Sequence, residues 1–414
     1  MTGHPGIFPT FFLSGFECST FLWKDQGRRD LVAETRHREH ALEDYRILAS
    51  LGIAVAREGI PWPMVERGGG YDFSSIDPFL DAMNRCQILP IWELCHYGYP
   101  DDADPFAEDF VERFARYARA AAEYVVPRTR GPHFFAPMNE ITFFAFIGGE
   151  WGWAAPYRKT REERFELRLI LCRAAIAAVR AIREVDPEAR FVHFDPVVQV
   201  VAPRDRPDLE EAARRETYED TYYAWDVLGG LRHPELGGSP EVLDIIGANC
   251  YSFGQMEYRE QGPHQALPPD DDRIKPLCDL LMIPWQRYRR PMLIGETSGL
   301  KEGRAEWLRD VMQESLAAVD LGIDLHGVCL FPGVDMQDWH TGEWLHNGIC
   351  DLTPEGDDLR RVPDEEYVQE LRRWQKLLNR VTELDEDPFS DPVELEDVVA
   401  AAKKFKMRPD KDWS

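Results

Sequence analysis

Eight short apolar runs recur along the chain, and stretches with helical periodicity separate most of them. They read FFLSGFE (11–17), IAVAREG (53–59), ILPIWELCH (88–96), HFFAPMNE (133–140), RFVHFDP (190–196), DIIGANCYS (244–252), PMLIGET (291–297) and LHGVCLFP (325–332). Their apolar residues are nearly continuous, which is the pattern of strands buried on both faces, as in a parallel sheet. Between them, residues 37–52 place Leu42, Tyr45, Leu48 and Ala49 on one helical face and end at a capping Gly52. Residues 106–125 do the same with Phe110, Phe114, Tyr117 and Ala121. Helices are also predicted over 163–187 and 304–322, ending at Pro187 and Gly322. Eight strands with intervening helices predict an α/β fold, a single (β/α)8 TIM barrel. A doubly wound sheet is the alternative, but no Gly-rich phosphate loop follows any of the strands.

A barrel of this kind takes about 250 residues and tolerates long insertions, so 414 residues leave ample loop. The barrel is expected over 1–380, with 381–414 an acidic C-terminal appendage. A net charge of −26 argues against nucleic acid or an anionic membrane as partner. The eight cysteines form no CxxC pair and no His–Cys ligand spacing, so neither a metal nor a cofactor is expected. The N-terminus has no basic region ahead of a signal-like apolar run, and no stretch approaches the ~18 apolar residues of a membrane span. A cytoplasmic protein is expected, and VELEDVVAAAKKFKM (393–407) has a helical pattern suited to homo-oligomer contacts.

The ends of the runs carry the chemistry. Active sites of such barrels are built at the C-terminal ends of the strands. Those ends deliver Glu17, Arg57 with Glu58, His96 with Tyr97, Asn139 with Glu140, His193 with Asp195, Asn249 with Tyr251, Glu296, and Phe331 with Asp335. Each alone has a bland reading as a loop residue or an ion-pair partner, but the set converges on one rim. Glu140 and Glu296 stand out, because a carboxylate at the tip of a buried strand is costly without a task. Two facing carboxylates are what glycoside hydrolysis needs.

These residues also carry a family resemblance. The chain resembles clan A of the glycoside hydrolases, and most of all family 1, the β-glucosidase-like enzymes. FFAPMNEITFFAF is similar to that family's strand-four motif, in which Asn-Glu carries the general acid/base. DIIGANCYS resembles the strand-six motif, whose Asn-x-Tyr sets a hydroxyl beside the nucleophile. RRPMLIGETSG resembles the strand-seven motif that carries the nucleophilic Glu, and LHGVCLFPGVDMQDWHTGEWLHNGICD follows the strand-eight region. The likeness spans residues ~10–355 in order, with Arg57 and His96 where the family has an Arg after strand two and a His after strand three.

The resemblance implies a retaining exo-β-glycosidase acting by double displacement on a carbohydrate or small glycoside, with no cofactor. It assigns Glu296 as nucleophile and Glu140 as acid/base, supported by Arg57, Asn139 and Tyr251. It places Glu17, His96, Tyr97, Asn249, Phe331, Asp338 and Trp339 at the substrate. Another clan A activity, endo-acting or transglycosylating, and a non-catalytic sugar-binding barrel are the alternatives. The departures cluster in the subsite for the non-reducing sugar. Phe331 stands for a Trp, Gln337-Asp338-Trp339 for Phe-Glu-Trp, His96-Tyr97 for His-Trp, and Thr297-Ser298 for Asn-Gly. Leu22 falls near the sugar-binding Gln, and Glu17 adds a carboxylate. The chemistry is expected to be retained and the sugar preference rewritten. Mouth aromatics are expected at Trp62, Tyr97, Trp151, Trp153, Trp339 and Trp344, with GGEWGWAAPY (148–157) as a loop over the site.

Overall fold

The computed structural model describes residues 6–386. The eight predicted runs form eight parallel strands: β1 (Phe12–Gly15), β2 (Val55–Gly59), β3 (Leu89–Glu93), β4 (Phe134–Ala136), β5 (Arg190–Pro196), β6 (Ile245–Asn249), β7 (Met292–Thr297) and β8 (Leu325–Leu330). Each pairs with its sequence neighbours, and β8 pairs back onto β1 through Phe12↔Val328 to close the barrel. The strands are shorter than the apolar runs. After the ladder ends, the chain keeps its apolar character because it turns inward over the barrel mouth.

Helices follow every strand: α1 (His37–Ser50), α2 (Asp77–Cys86), α3 (Phe110–Val125), α4 (Arg161–Arg183), α5 (Tyr223–Leu228), α6 (Leu277–Tyr288), α7 (Arg304–Asp320) and α8 (Glu365–Glu386). The inner face of α3 is the predicted one, with Phe110, Phe114, Tyr117 and Ala121 buried. That of α1 is rotated: Ala49 is exposed, and His37, Ala41, Asp44, Tyr45 and Leu48 are buried. Its polar members are satisfied internally. His37 bridges Asp44 at 2.7 Å and Glu58 at 2.9 Å, and Arg361 holds Asp44 from the far end of the chain. None of the described helices is long and apolar enough to cross a membrane. The acidic appendage and the oligomer-contact pattern lie largely outside the described residues, although α8 continues past residue 380 to Glu386.

Strand alternation sorts the core into two layers. Leu13, Val55, Ile91, Phe134, Val192, Phe194, Ile245 and Leu293 fill the barrel interior, and Phe8 closes its lower end against Phe134. Their neighbours Phe12, Ala56, Trp92, Phe135, Phe191, Ile246 and Ile294 point outward to the helices. Alternation therefore sends Arg57 and Glu93 inward. By the same rule Glu58, His193 and Asp195 point outward.

One irregularity matters for the site. Regular alternation after Leu293 would send Gly295 inward and Glu296 outward. The register between β6 and β7 shifts at this point, so that Asn249 pairs with Glu296. A bulge of this kind re-aims a side chain, and Glu296 turns into the barrel mouth beside Arg57. Gly247 and Gly295 make room for the Phe194 ring beneath it. A Cβ at either would lie 2.1 or 2.4 Å from that ring. Gly247→Ala is expected to destabilise the fold by about 1–3 kcal/mol through overpacking. Denaturant unfolding of the variant against the parent checks this.

Candidate active site

Arg57 is the hub of the barrel mouth. Its Nε donates to Glu93 Oε1, and its Nη1 lies 2.8 Å from Glu296 Oε1 and donates to Gly295 O at 2.7 Å. Its Nη2 donates to Asn139 Oδ1 at 3.0 Å. The guanidinium carbon sits 3.8 Å from the Phe194 ring centroid and 4.5 Å from that of Phe331. Charged donors and flat faces are thus all engaged, which fixes the plane of the guanidinium.

Glu93 was not singled out in the sequence, yet it is fully buried and paired with both Arg57 and His96. Burial raises its pKa, but Arg57 and His96 outweigh this and bring it down to about 2. His96 Nδ1 faces Glu93 Oε2 at 2.8 Å, and Nε2 receives the Asn139 amide at 2.9 Å. Arg57 fixes that amide orientation, which suits an imidazole with its proton on Nδ1. Burial lowers the His96 pKa and Glu17, Glu93 and Glu296 raise it, but the Asn139 amide facing Nε2 opposes a second ring proton. Glu17 is buried, accepts from Ser19 N at 3.0 Å and lies 3.7 Å from His96 Nε2.

The two predicted carboxylates share this mouth. Tyr251 donates to Glu296 Oε2 at 2.9 Å. Burial raises the pKa of Glu296 overall, against the opposing pull of Arg57 and His96. Glu140 has no cation in contact. Tyr97 donates to its Oε2 and Asn249 Nδ2 to its Oε1 at 2.8 Å. Burial first, then the charge of Glu296, lift its pKa to about 7, against the pull of Tyr97, Asn249 and His96. One carboxyl is therefore lifted toward neutrality among neutral donors, and the other lies beside a cation that favours its ionised form. That division suits acid catalysis by one and nucleophilic attack by the other.

Backbone strain is concentrated here. Tyr97 and Glu140 have φ of +61° and +45°, in the left-handed region that bulky residues avoid. The chain leaves β3 and β4 through these two residues, so the strain aims their side chains at each other.

Other predicted rim residues fall elsewhere. His193 points outward, bonds Val242 O at 2.8 Å and is driven by burial to a pKa of about 4. Asp195 accepts from the Thr142 backbone and hydroxyl, and so anchors the turn after Glu140. Glu58 serves His37 and Tyr45. Asp335 accepts from Met336 N and Asn347 N. Phe331 is buried under Arg57 as part of the floor.

Asp338 lies in the turn after β8. Its Oδ1 accepts from His340 N, Thr341 N and the Thr341 hydroxyl, so it caps its own turn rather than reaching the carboxylate cluster. Trp339 does reach the site region, edge-on to Tyr97 at 5.6 Å, and its buried Nε1 has no partner. Trp62, expected at the mouth, is buried against Phe110, Phe114 and Tyr117 in the helix layer. The aromatic wall instead joins Trp339 to Phe21, Trp23 and Phe143, and then to Trp151 and Trp153 of the loop after β4.

Cys18 Sγ lies 3.3 Å from both Glu93 Oε2 and His96 Nδ1, three potential donor atoms in one place. Metal binding there would need a thiolate, yet burial and the charges of Glu93 and Glu17 raise the Cys18 pKa well above the usual thiol range. The trio acts as a hydrogen-bonded support for His96.

Comparison with known proteins gives a consistent picture. No protein-family model matches the chain. It is 21% identical over 472 aligned residues to the aryl-phospho-β-D-glucosidase BglC of Bacillus subtilis (strain 168), covering 90% of this chain and 96% of that one. The β-glucosidase of Thermotoga maritima in complex with glucoimidazole superposes with a TM-score of 0.72 at 16% identity, over 88% of this chain and 97% of that one. The AHE enzyme of Alicyclobacillus herbarius superposes with a TM-score of 0.71 at 18% identity, over 90% and 100%. Another structure of the Thermotoga protein, also at a TM-score of 0.72, is described as a family 1 β-glucosidase and is 17% identical over 89% of this chain and 98% of that one. The chain resembles these structures in its barrel fold.

The Glu93–Arg57 pair predicts an acid-stability signature. A carboxylate with a depressed pKa contributes stability above its unfolded value near 4.5 and loses it as pH falls through about 2. Glu93→Gln is expected to lower stability at neutral pH by about 3 kcal/mol. The difference from the parent should shrink as pH falls below about 4.5. Denaturant midpoints measured at a series of pH values check both points.

Proposed function

We propose that this protein is a retaining exo-β-glycosidase, with Glu296 as nucleophile and Glu140 as acid/base. The observation that carries the reading is the division of labour between two glutamates in one buried mouth. Glu296 lies against Arg57 and Tyr251, whereas Glu140 lacks a cation in contact and has its pKa raised to about 7. In the first step Glu296 attacks the anomeric carbon while Glu140 passes its proton to the glycosidic oxygen, releasing the aglycone. Esterification removes the Glu296 charge, the second-largest influence raising the Glu140 pKa. Glu140 then accepts a proton from water as that water attacks the anomeric carbon and frees the sugar.

Two further features refine the reading. The aromatic wall of Trp23, Trp151, Trp153 and Trp339 draws on loops after β1, β4 and β8, which supports a pocket for a terminal sugar over an open groove. The aryl-phospho relative raises the question of a sugar phosphate. Arg304, at the start of α7, is tied to Asp351, Asp364 and Gly348 O. Glu17 also adds negative charge beside His96. An unphosphorylated glycone fits this pocket better than a phosphorylated one.

A panel of nitrophenyl α- and β-glycosides, with and without a 6-phosphate, tests the proposal. Turnover is expected for an unphosphorylated β-glycoside, with the β-anomer formed first by NMR. Glu140→Gln and Glu296→Gln should each lower kcat by about 10²–10⁴ or more. Release of the α-anomer, or full activity in either variant, would overturn the assignment.

A further inference from the structure

We propose that Tyr97 is a positioning residue that sets the proton affinity of Glu140 and holds its carboxyl in place through both steps; this rests on the functional reading above. The motif comparison puts a Trp at this position in the resembled family, and an indole cannot make the same contact.

The geometry is specific. Tyr97 is buried, and its hydroxyl donates to Glu140 Oε2. The Tyr97 hydroxyl oxygen also accepts from Asn139 Nδ2 at 3.3 Å, an amide oriented by Arg57. The ring is held edge-on by Phe143, Phe144 and Trp339, at centroid distances of 5.8, 5.7 and 5.6 Å. Tyr97 and Glu140 both adopt left-handed backbone conformations, with φ of +61° and +45°. Strain on both sides of one contact persists only where the surroundings over-determine it.

The chemistry follows from the inventory of groups around Glu140. Glu296 faces it from β7 and Asp195 from β5, both as like charges when ionised. Asn249 donates to it from β6, with Tyr251 nearby on the same side, and His96 and Tyr97 approach from the loop after β3. Burial and the surrounding carboxylates raise the Tyr97 phenol well above its usual range, so it remains a protonated hydroxyl throughout. A phenol is both donor and acceptor. It can donate to the Glu140 carboxylate and, after rotation of its O–H, accept from the Glu140 acid. Asn249 Nδ2 can only donate. Because a charge-assisted bond is the stronger of the two states, the net effect of Tyr97 is to favour the carboxylate.

Tyr97→Phe keeps the packing and removes only the oxygen. The Glu140 carboxyl, followed by NMR in protein carrying ¹³C-labelled glutamate and assigned with Glu140→Gln, should then titrate about one pH unit higher. The alkaline limb of kcat/KM should move up with it, because Glu140 stays protonated to higher pH. Replacing Tyr97 with 3-fluorotyrosine, a stronger donor of the same shape, should move both down, and keeps the test open should Tyr97→Phe not fold. An unchanged titration in the folded variants, or a fall in activity equal at every pH, would overturn the proposal. The NMR titration does not depend on turnover. A shift of Glu140 without hydrolysis of any glycoside would therefore count against the functional reading and leave the Tyr97–Glu140 coupling standing.

Discussion

The charge on Arg57 is what the mouth of this barrel depends on. A guanidinium taken fully out of water is costly unless every donor is met. Here Glu93, Asn139 and Gly295 O accept from it, the Glu296 carboxylate lies beside it, and Phe194 and Phe331 cover the two faces. The consequences run outward from that one group. Asn139 is oriented by it, His96 receives the Asn139 amide, and Glu296 lies beside a cation that favours its ionised form. The barrel architecture makes this possible, because alternation along β2 and β3 brings Arg57 and Glu93 to the same inner layer.

Glu140 depends on the arrangement indirectly. Arg57 does not contact it, whereas at Glu296 the same cation works against the effect of burial. Two carboxylates with identical surroundings would titrate as an equal pair and share one proton between them. Placing the cation on one side breaks the symmetry. Neutral donors, Tyr97 and Asn249, then hold the other without forcing it to ionise. Protonation state, geometry and the strained backbone at Tyr97 and Glu140 are thus parts of one arrangement.

Much of this was legible in the sequence because double-sided burial leaves a strong signature. All eight strands stand as apolar runs, and the polar residues at their ends fall where barrel topology makes them converge. What was hidden is hidden for physical reasons. Glu93 sits inside ILPIWELCH, where the surrounding Trp and Leu masked an ionisable group as part of the strand; a lone carboxylate within an apolar run was the available signal. The bulge that turns Glu296 inward leaves no trace in periodicity, because Gly295 is silent in a hydrophobic pattern. Asp338 was read by motif position, although DWHTG carries the Asp-Gly composition of a tight turn, and the turn is what its carboxylate serves. Ala49, set on the inner face by spacing, is exposed, whereas His37 and Trp62 are buried. The two buried residues are enclosed by the helical layer through partners distant in sequence.

The division between floor and rim explains how a chain at 16–21% identity to β-glucosidases can keep their order of motifs. The floor is a closed set of mutual dependencies: altering Arg57, Glu93, Asn139 or Glu296 leaves a buried charge or donor without its partner. Such a set resists piecemeal change. The rim is under no such constraint. Leu22, Glu17, Tyr97 and Asp338 differ from the resembled pattern, and each is accommodated locally: Glu17 by Ser19 N, Asp338 by its own turn, Tyr97 by a ring of aromatic edges. Only Tyr97 also touches the acid. Among the departures it is therefore the one through which a change of rim reaches the Glu140 carboxyl, and on the proposed reading it ties proton transfer at Glu140 to a residue of the aromatic wall.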